Sequence, residues 1–171
     1  MPISNDTEIA AAPPTVQSAA TTGTYLVFDL GGQQYATPVS HVREVLTLPR
    51  ITPVPGRMAS VEGVIDLRGL SVPVLELAKL LGIDPAPHGD ATRVIVCDVP
   101  DPAGWRVVSL IVDRVDQVVQ LGEEQIEHPP ADDIVDPTAV LGIARIGGDT
   151  LTVVLDIVSL LARPARAETV R

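Results

Sequence analysis

The chain has 171 residues, of which 46% are hydrophobic, and this length and apolar content exclude a mostly disordered protein. Its 22 acidic side chains outnumber its 12 Lys and Arg residues, and the resulting net charge of −10 disfavours nucleic acid and anionic lipid as ligands. Aromatic residues make up 2% of the chain, too few for base-stacking platforms, so the core must be built from Val, Leu and Ile.

The two ends of the chain are predicted to be tails. Residues 1–23 are rich in Ala, Pro, Ser and Thr without periodicity, and we interpret them as a flexible tail rather than a secretory signal. A second tail is expected over residues 166–171. No apolar run reaches the roughly 18 residues needed to span a bilayer, so a cytoplasmic location is predicted. The single Cys97 cannot form an internal disulfide, which fits a reducing compartment.

The first elements predicted after the tail form a β-hairpin. TYLVFDL (24–30) is rich in strand-forming residues, Gly31 and Gly32 tolerate positive φ, and QQYATPV then returns along the first strand. A proline-punctuated loop is predicted over residues 48–56, because proline lacks the donor that a central strand needs.

Between this hairpin and the loop, VSHVREVL (39–46) allows two structures. Val39, Val42 and Leu46 stand at i, i+3 and i+7, the spacing of one helical face. The many β-branched residues fit an irregular strand equally well. Both interpretations stay open on the sequence alone.

A second hairpin is predicted further along the chain. Residues 62–67 and 70–75 have the composition of strands, and Arg68 and Gly69 form the turn between them. The segment that follows, LELAKLLG, predicts a short helix that stops at Gly82.

The second half of the chain repeats the first. The matching pairs are GVIDLRG (63–69) with GIARIGG (142–148), VPVLELAKLL (72–81) with TVVLDIVSLL (152–161), and VSHVREVL (39–46) with VDRVDQVV (112–119). Each half holds about five short strands, and closing each into a small barrel removes most sheet edges. We therefore predict one domain over residues 24–165 with barrels at about 24–86 and 87–165, an exchange of end strands being left open. A groove is expected along their common seam.

No catalytic or metal-binding motif is present. His41, His88 and His128 stand in unrelated contexts without metal-ligand spacing. The sequence also lacks a nucleophile elbow, a phosphate-binding loop and a dinucleotide fingerprint. We predict a protein that is not an enzyme, with no catalytic residue, metal or cofactor.

The chain resembles the CheW family of chemotaxis coupling proteins over residues 24–162, in four segments that keep one order and spacing: YLVFDLGGQQYATPVSHVREV, GVIDLRGLSVPVLEL, LIVDRVDQV and LGIARIGG…LTVVLDIVSLL. The resemblance implies a mainly β protein of two packed five-stranded SH3-like barrels, with short helices between and after them. It also implies an adaptor that bridges the cytoplasmic tip of a chemoreceptor and the regulatory domain of the histidine kinase CheA in receptor arrays. Membrane insertion and nucleic-acid binding are not expected.

Arg68 is the first candidate for partner binding. A planar guanidinium carried on a rigid two-residue turn suits recognition of a carboxylate or carbonyl on another protein. The alternative is that Arg68 solvates the hairpin tip or pairs with Asp66. The resemblance favours the partner role, because the matching arginine of the family is implicated in coupling. Gly63 and Gly69 are expected to be structural turn glycines.

The other candidates come from the two matching segments, 39–46 and 112–119. They are Val39, Val42, Glu44 and Val45 in the first segment, and Val112 and Val115, together with Val118, in the second. Each valine is expected either to pack in the core or to line the edge of the groove, and the sequence favours neither alternative. The resemblance favours some valines of both segments lining a groove that binds the receptor's helical tip. Glu44 is either a solvated rim charge or a specificity contact with kinase or receptor.

A second function stands beside the adaptor as an alternative: a small-ligand-binding double barrel of a sensory system, with an apolar metabolite in its groove. An adaptor groove should be open and aliphatic, whereas a metabolite site should be enclosed with convergent polar groups. The sequence supplies few such groups. The acidic connection over residues 122–140 is expected on the surface, where it tunes which partner is accepted.

Overall fold

The structure, a computed structural model, describes residues 22–128 and 139–162. The predicted tail at 166–171 lies outside these ranges, as does most of the tail predicted over residues 1–23, although Gly23 already belongs to the first strand. The acidic connection at 122–140 is described at its two ends.

The described chain consists mainly of β-strands. They are β1 (Gly23–Leu30), β2 (Gln33–Pro38), β3 (Val42–Thr47), β4 (Val61–Leu67), β5 (Leu70–Glu76), β6 (Arg93–Asp101), β7 (Gly104–Val112), β8 (Arg114–Leu121), β9 (Ile126–Glu127), β10 (Val140–Arg145) and β11 (Leu151–Leu155). Two short helices are α1 (Leu77–Leu80) and α2 (Ile157–Ala162), and single 3₁₀ turns are formed by Val39–His41 and Glu123–Gln125. The mainly β fold class predicted from the sequence is confirmed.

The strands form two sheets. One contains six strands in the order β8-β1-β2-β11-β10-β9, and the other contains five in the order β3-β6-β7-β5-β4. The sequence predicts five strands for each unit, and the sixth strand of the first sheet is the two-residue β9. It follows a 3₁₀ turn in the acidic connection, where apolar and polar side chains do not alternate as they do in a strand.

The sheets do not follow the order of the chain. β1 and β2 lie beside strands from the C-terminal half, whereas β6 and β7 join β3 to β5. Two parallel pairings make these joins: β2 with β11, where Tyr35 lies opposite Val153, and β5 with β7, where Leu75 lies opposite Leu110. Strands of the two repeated halves are thus exchanged between the sheets.

Residues 39–46 adopt the strand alternative rather than a helix. Val39–His41 form one 3₁₀ turn, and Val42–Thr47 then pair antiparallel with β6 as β3. A register shift between Val42 and Glu44 marks a bulge in this pairing. The β-branched side chains favour an extended backbone, and the ladder with β6 satisfies its polar groups.

Both helices are short and have identifiable boundaries. α1 is followed by Gly82, whose φ of +71° agrees with the predicted stop at this glycine. α2 follows Asp156, whose carboxylate accepts hydrogen bonds from the backbone N–H of Ser159 at 3.0 Å and from its hydroxyl at 2.6 Å. These bonds satisfy an otherwise unpaired donor of the first helical turn.

Alternation along the strands distributes apolar side chains among three cores. Along β6, Val94 and Val96 pack within the five-stranded sheet, whereas Ile95 and Cys97 contribute to a core shared by both sheets. The buried members of this shared core are Leu26, Phe28, Leu30, Leu77, Ala78, Ile95, Cys97, Val99, Val108, Leu110, Val112, Ala139, Leu155, Ile157, Leu160 and Leu161. A third, smaller core that includes Val27 belongs to the six-stranded sheet. The shared core joins the two sheets and both helices into one unit.

Candidate partner-binding surface

Arg68 and Gly69 form the tip of the β4–β5 hairpin, as predicted. The last paired residues are Leu67 and Leu70, so the loop has two residues, and both have positive φ, +50° for Arg68 and +85° for Gly69. This combination is typical of a type I′ turn, whose twist matches that of the flanking strands. The Asp66 Oδ1 atom accepts a hydrogen bond of 2.7 Å from the backbone N–H of Gly69. Asp66 therefore stabilises the turn.

Arg68 pairs with Glu44 of β3. Its Nη1 and Nη2 atoms donate to the two carboxylate oxygens of Glu44 at 2.9 and 3.1 Å, a bidentate contact. This hydrogen bonding, together with the charge of Glu44, raises the pKa of Arg68 above its ordinary value. The pair holds the hairpin tip against β3, which lies at the other end of the five-stranded sheet. Glu44 and Arg68, two candidate residues far apart in sequence, are thus joined by direct hydrogen bonds.

The Arg68 side chain is presented to solvent. It is 76% exposed, compared with 22% for Glu44. A guanidinium has five N–H donors, and the two bonds to Glu44 use two of them. Leu70, the next residue after the turn, is a large apolar side chain that is also exposed. The hairpin tip therefore presents an oriented guanidinium beside an exposed apolar side chain.

The candidate valines occupy three environments. Val39, Val42 and Val115 are half-buried and pack against the shared core. Val45 is exposed on β3, and Val118 is 59% exposed on β8. Val112 is fully buried in the shared core, so of its two possible roles the core position matches its environment. The half-buried valines lie where the shared core meets the surface.

The seam between the sheets contains packed apolar side chains. The shared core occupies it, with α1 and α2 contributing Leu77, Leu160 and other apolar side chains. A surface pocket of about 290 Å³ lies elsewhere, and the residues that line it are Glu62, Glu76, Lys79, Pro85, Ala86, Pro87 and His88. None of the candidate valines lines this pocket.

Gly63 lies within β4 rather than at a turn, which corrects the prediction. Its φ is +152°, and a β-carbon there would overlap the carbonyl oxygen of Thr52. The close approach is made by a bridge between Thr52 and Val64, whose backbones exchange hydrogen bonds of 2.8 and 2.9 Å. Gly63 thus lets the loop after β3 pack on β4.

Sequence reasoning missed one prominent surface residue, Trp105. It stands just after the turn between β6 and β7, is 67% exposed, and has its ring centroid 6.2 Å from that of His41. The signal available in the sequence is the turn DPAG directly before a lone tryptophan. An exposed tryptophan is a common anchor residue in protein interfaces.

Within residues 22–128 and 139–162, no group of three or more His, Cys, Asp and Glu side chains is placed to hold a metal ion. In the same part of the chain, no helix has both the length and the apolar character required to cross a bilayer.

The buried Cys97 has a pKa raised to about 12, mainly by burial, so it packs as a neutral thiol.

Comparisons with known proteins agree with this architecture. Residues 24–165 match the CheW-like domain family. The chain is 29% identical over 138 residues to the chemotaxis protein CheW of Klebsiella aerogenes, with 81% of each protein covered. It is 35% identical over 106 residues to the chemotaxis protein CheW of Bacillus subtilis, which covers 61% of this chain and 65% of that protein.

A solved structure shares the fold. The crystal structure of the scaffolding protein TtCheW from Thermoanaerobacter tengcongensis superposes with a TM-score of 0.73 at 29% identity, covering 85% of this chain and 96% of that one. The family match begins in β1 and extends beyond α2, and it confirms the resemblance found in the sequence. The chain therefore belongs to the CheW-like family of chemotaxis adaptor proteins.

Proposed function

We propose that this chain joins chemoreceptors to a CheA-type histidine kinase in signalling arrays, and that it does so by binding alone, without catalysis. The observation that carries the proposal is the Glu44–Arg68 pair, which fixes an exposed arginine at a rigid hairpin tip. The kinase regulatory domain is the partner proposed for this tip, in line with the family's role as adaptors. A cytoplasmic location at the arrays follows from these partners.

The chemistry of the tip fits protein recognition. Arginine is enriched at interface centres, and Arg68 stands close to the exposed Leu70, which adds apolar area beside it. Because Glu44 already orients the guanidinium, less side-chain entropy is lost when a partner carboxylate or carbonyl binds it. Glu44 itself is proposed to position the Arg68 guanidinium and to balance part of its positive charge.

The receptor is proposed to bind where the shared core reaches the surface. Val39, Val42 and Val115 supply half-buried apolar side chains there, and Val45 adds an exposed one on β3. An amphipathic helix of the receptor tip would bury its apolar face against such residues. In this arrangement Val112 supports the surface from within the core.

The test is a reconstituted array of receptor, kinase and this protein, in which kinase activity is measured. Arg68→Ala should lower kinase activation and kinase binding while leaving the melting temperature nearly unchanged, because the arginine side chain is mostly exposed. Arg145→Ala is the matched control, since Arg145 is an exposed arginine on β10 of the other sheet. An Arg68→Ala protein that couples as well as this control would contradict the proposed role.

A further inference from the structure

Glu76 is a nearly buried acid at the end of β5, away from the hairpin tip. Its side chain is 3% exposed, and its Oε2 atom lies 2.9 Å from Nε2 of His88. His88 is 35% exposed and belongs to the connection between α1 and β6. The contact therefore ties a core strand to a surface connection.

The connection depends on side chains for part of its attachment. Pro85 and Pro87 have no backbone N–H, so this stretch has fewer donors for backbone hydrogen bonds. After His88, a small turn is closed by the Thr92 N–H, which donates to the Gly89 carbonyl at 3.1 Å, and by the Gly89 N–H, which donates to the Thr92 hydroxyl at 2.8 Å. The Glu76–His88 contact attaches the proline-containing stretch that precedes this turn.

Three further charged groups face the pair. On one side, Lys79 of α1 donates to Glu62 of β4 at 2.5 Å, so these two charges compensate each other. Asp113, which follows β7, and Glu62 both act on Glu76 as like charges. The surroundings therefore oppose additional negative charge at Glu76.

The charge of the pair depends on a single shared proton. A carboxylate beside an imidazolium and a carboxylic acid beside a neutral imidazole are both neutral overall, and they differ only in which group holds that proton. When the proton is lost, the pair carries a net negative charge next to the core. Burying an uncompensated charge is costly, so the attachment weakens.

We propose that Glu76 and His88 form a proton-dependent latch, which holds residues 83–92 against the end of β5 while the pair keeps its shared proton and releases them when that proton is lost. The latch acts on the connection between α1 and β6, and it is independent of the partner-binding role of Arg68. Free imidazoles change charge near about pH 6.5, so the state of the latch is compared below and above that value.

Hydrogen exchange of the full chain, measured by mass spectrometry at about pH 6 and pH 8, tests the latch. Exchange rates are divided by those of an unstructured peptide at the same pH, which removes the intrinsic dependence on hydroxide. Protection of residues 83–92 should fall about fivefold between the two pH values, since a charge-assisted hydrogen bond is roughly twice as strong as a neutral one. The amides of Gly89 and Thr92 report whether the turn stays closed.

His88→Gln keeps a side-chain donor but cannot titrate, so its protection over residues 83–92 should be the same at both pH values. His41→Gln is the control, because His41 contacts Trp105 rather than Glu76, and it should keep the wild-type response. The latch is overturned if wild-type protection does not change with pH, if His88→Gln keeps the wild-type response, or if His41→Gln abolishes it.

Discussion

The backbone of Thr52 lies so close to Gly63 that a β-carbon at residue 63 would overlap the Thr52 carbonyl oxygen. Gly63→Ala must therefore separate the loop from β4 and break the two hydrogen bonds between Thr52 and Val64. We expect a loss of about 3 kcal/mol or more in the free energy of unfolding. Urea denaturation followed by circular dichroism measures this loss.

Gly69→Ala serves as the control for this substitution. Gly69 also has positive φ, but the space around its missing β-carbon is open. Its replacement should cost only the backbone conformational energy, about 1 to 2 kcal/mol. Equal losses in the two variants would show that the close approach of Thr52 contributes nothing.

Ser109 offers the opposite case, a substitution that should not destabilise the protein. Among the buried side-chain oxygen and nitrogen atoms of the described residues, the Ser109 hydroxyl has no hydrogen-bond partner. Ser109→Ala removes this unpaired group, and we expect unfolding free energy to stay within about 1 kcal/mol of wild type or to rise. Thermal denaturation provides the measurement.

Thr152 is the matched residue, because it is equally buried and its hydroxyl donates to Gln34 Oε1 at 2.5 Å. Thr152→Val should lower the unfolding free energy by about 1 to 3 kcal/mol, since it leaves the Gln34 acceptor without its donor. If Ser109→Ala were as damaging as Thr152→Val, the hydroxyl of Ser109 would have to be bonded in solution.

Stability should depend on pH through Glu76. Burial raises the pKa of Glu76 above its ordinary 4.5, while the hydrogen bond from His88 opposes this shift. A raised folded-state pKa means that the carboxyl group stabilises the fold below about pH 4.5 and that this contribution is lost as pH rises. Glu76→Gln does not titrate, so its unfolding free energy relative to wild type should increase from pH 4 upward. Urea titrations at a series of pH values would reveal no such trend if Glu76 were fully solvated.

Val42 and Val45 should separate folding from receptor binding. Val42 packs against the shared core, so Val42→Asp places a charge at a half-buried apolar position and should cost about 1 to 3 kcal/mol of stability. Val45 is exposed on the same strand, and Val45→Asp should keep its melting temperature while weakening receptor binding. Melting curves measure the stability of both variants, and receptor pull-downs on the same samples measure their receptor binding. A Val45→Asp protein with normal receptor binding would exclude this valine from the contact surface.

The local features of the fold were predictable from the sequence. The sequence predicts the β4–β5 hairpin because its strands flank two residues suited to a tight turn, and Asp66, Arg68 and Gly69 all lie within that short segment. Gly82 likewise predicts the end of α1 from a residue within the segment itself. Such features depend on neighbouring residues, whose chemistry is visible in the sequence.

Features that depend on distant residues were not predictable in the same way. Val112 resembles its counterpart Val39 in sequence, but the second half of β7, from Val108 to Val112, is buried on both faces, which removes the alternation that distinguishes core from surface. The need for glycine at residue 63 arises from Thr52, eleven positions away, and the partner of Arg68 is Glu44 on another strand. No pattern of neighbouring residues predicts these contacts between distant parts of the chain.

The parallel pairing of β2 with β11 has a consequence for synthesis on the ribosome. β3 to β7 occupy one continuous stretch of chain, so the five-stranded sheet can close as soon as Val112 has emerged. The hairpin of β1 and β2 is made earlier, yet its neighbours β8 and β11 are made only after β7. Until then, the apolar side chains of Val27 and Ala36 lack their buried core partners, and the nascent chain is most exposed to aggregation at its first hairpin. These partners are Leu121, Ala144, Ile146 and Val154.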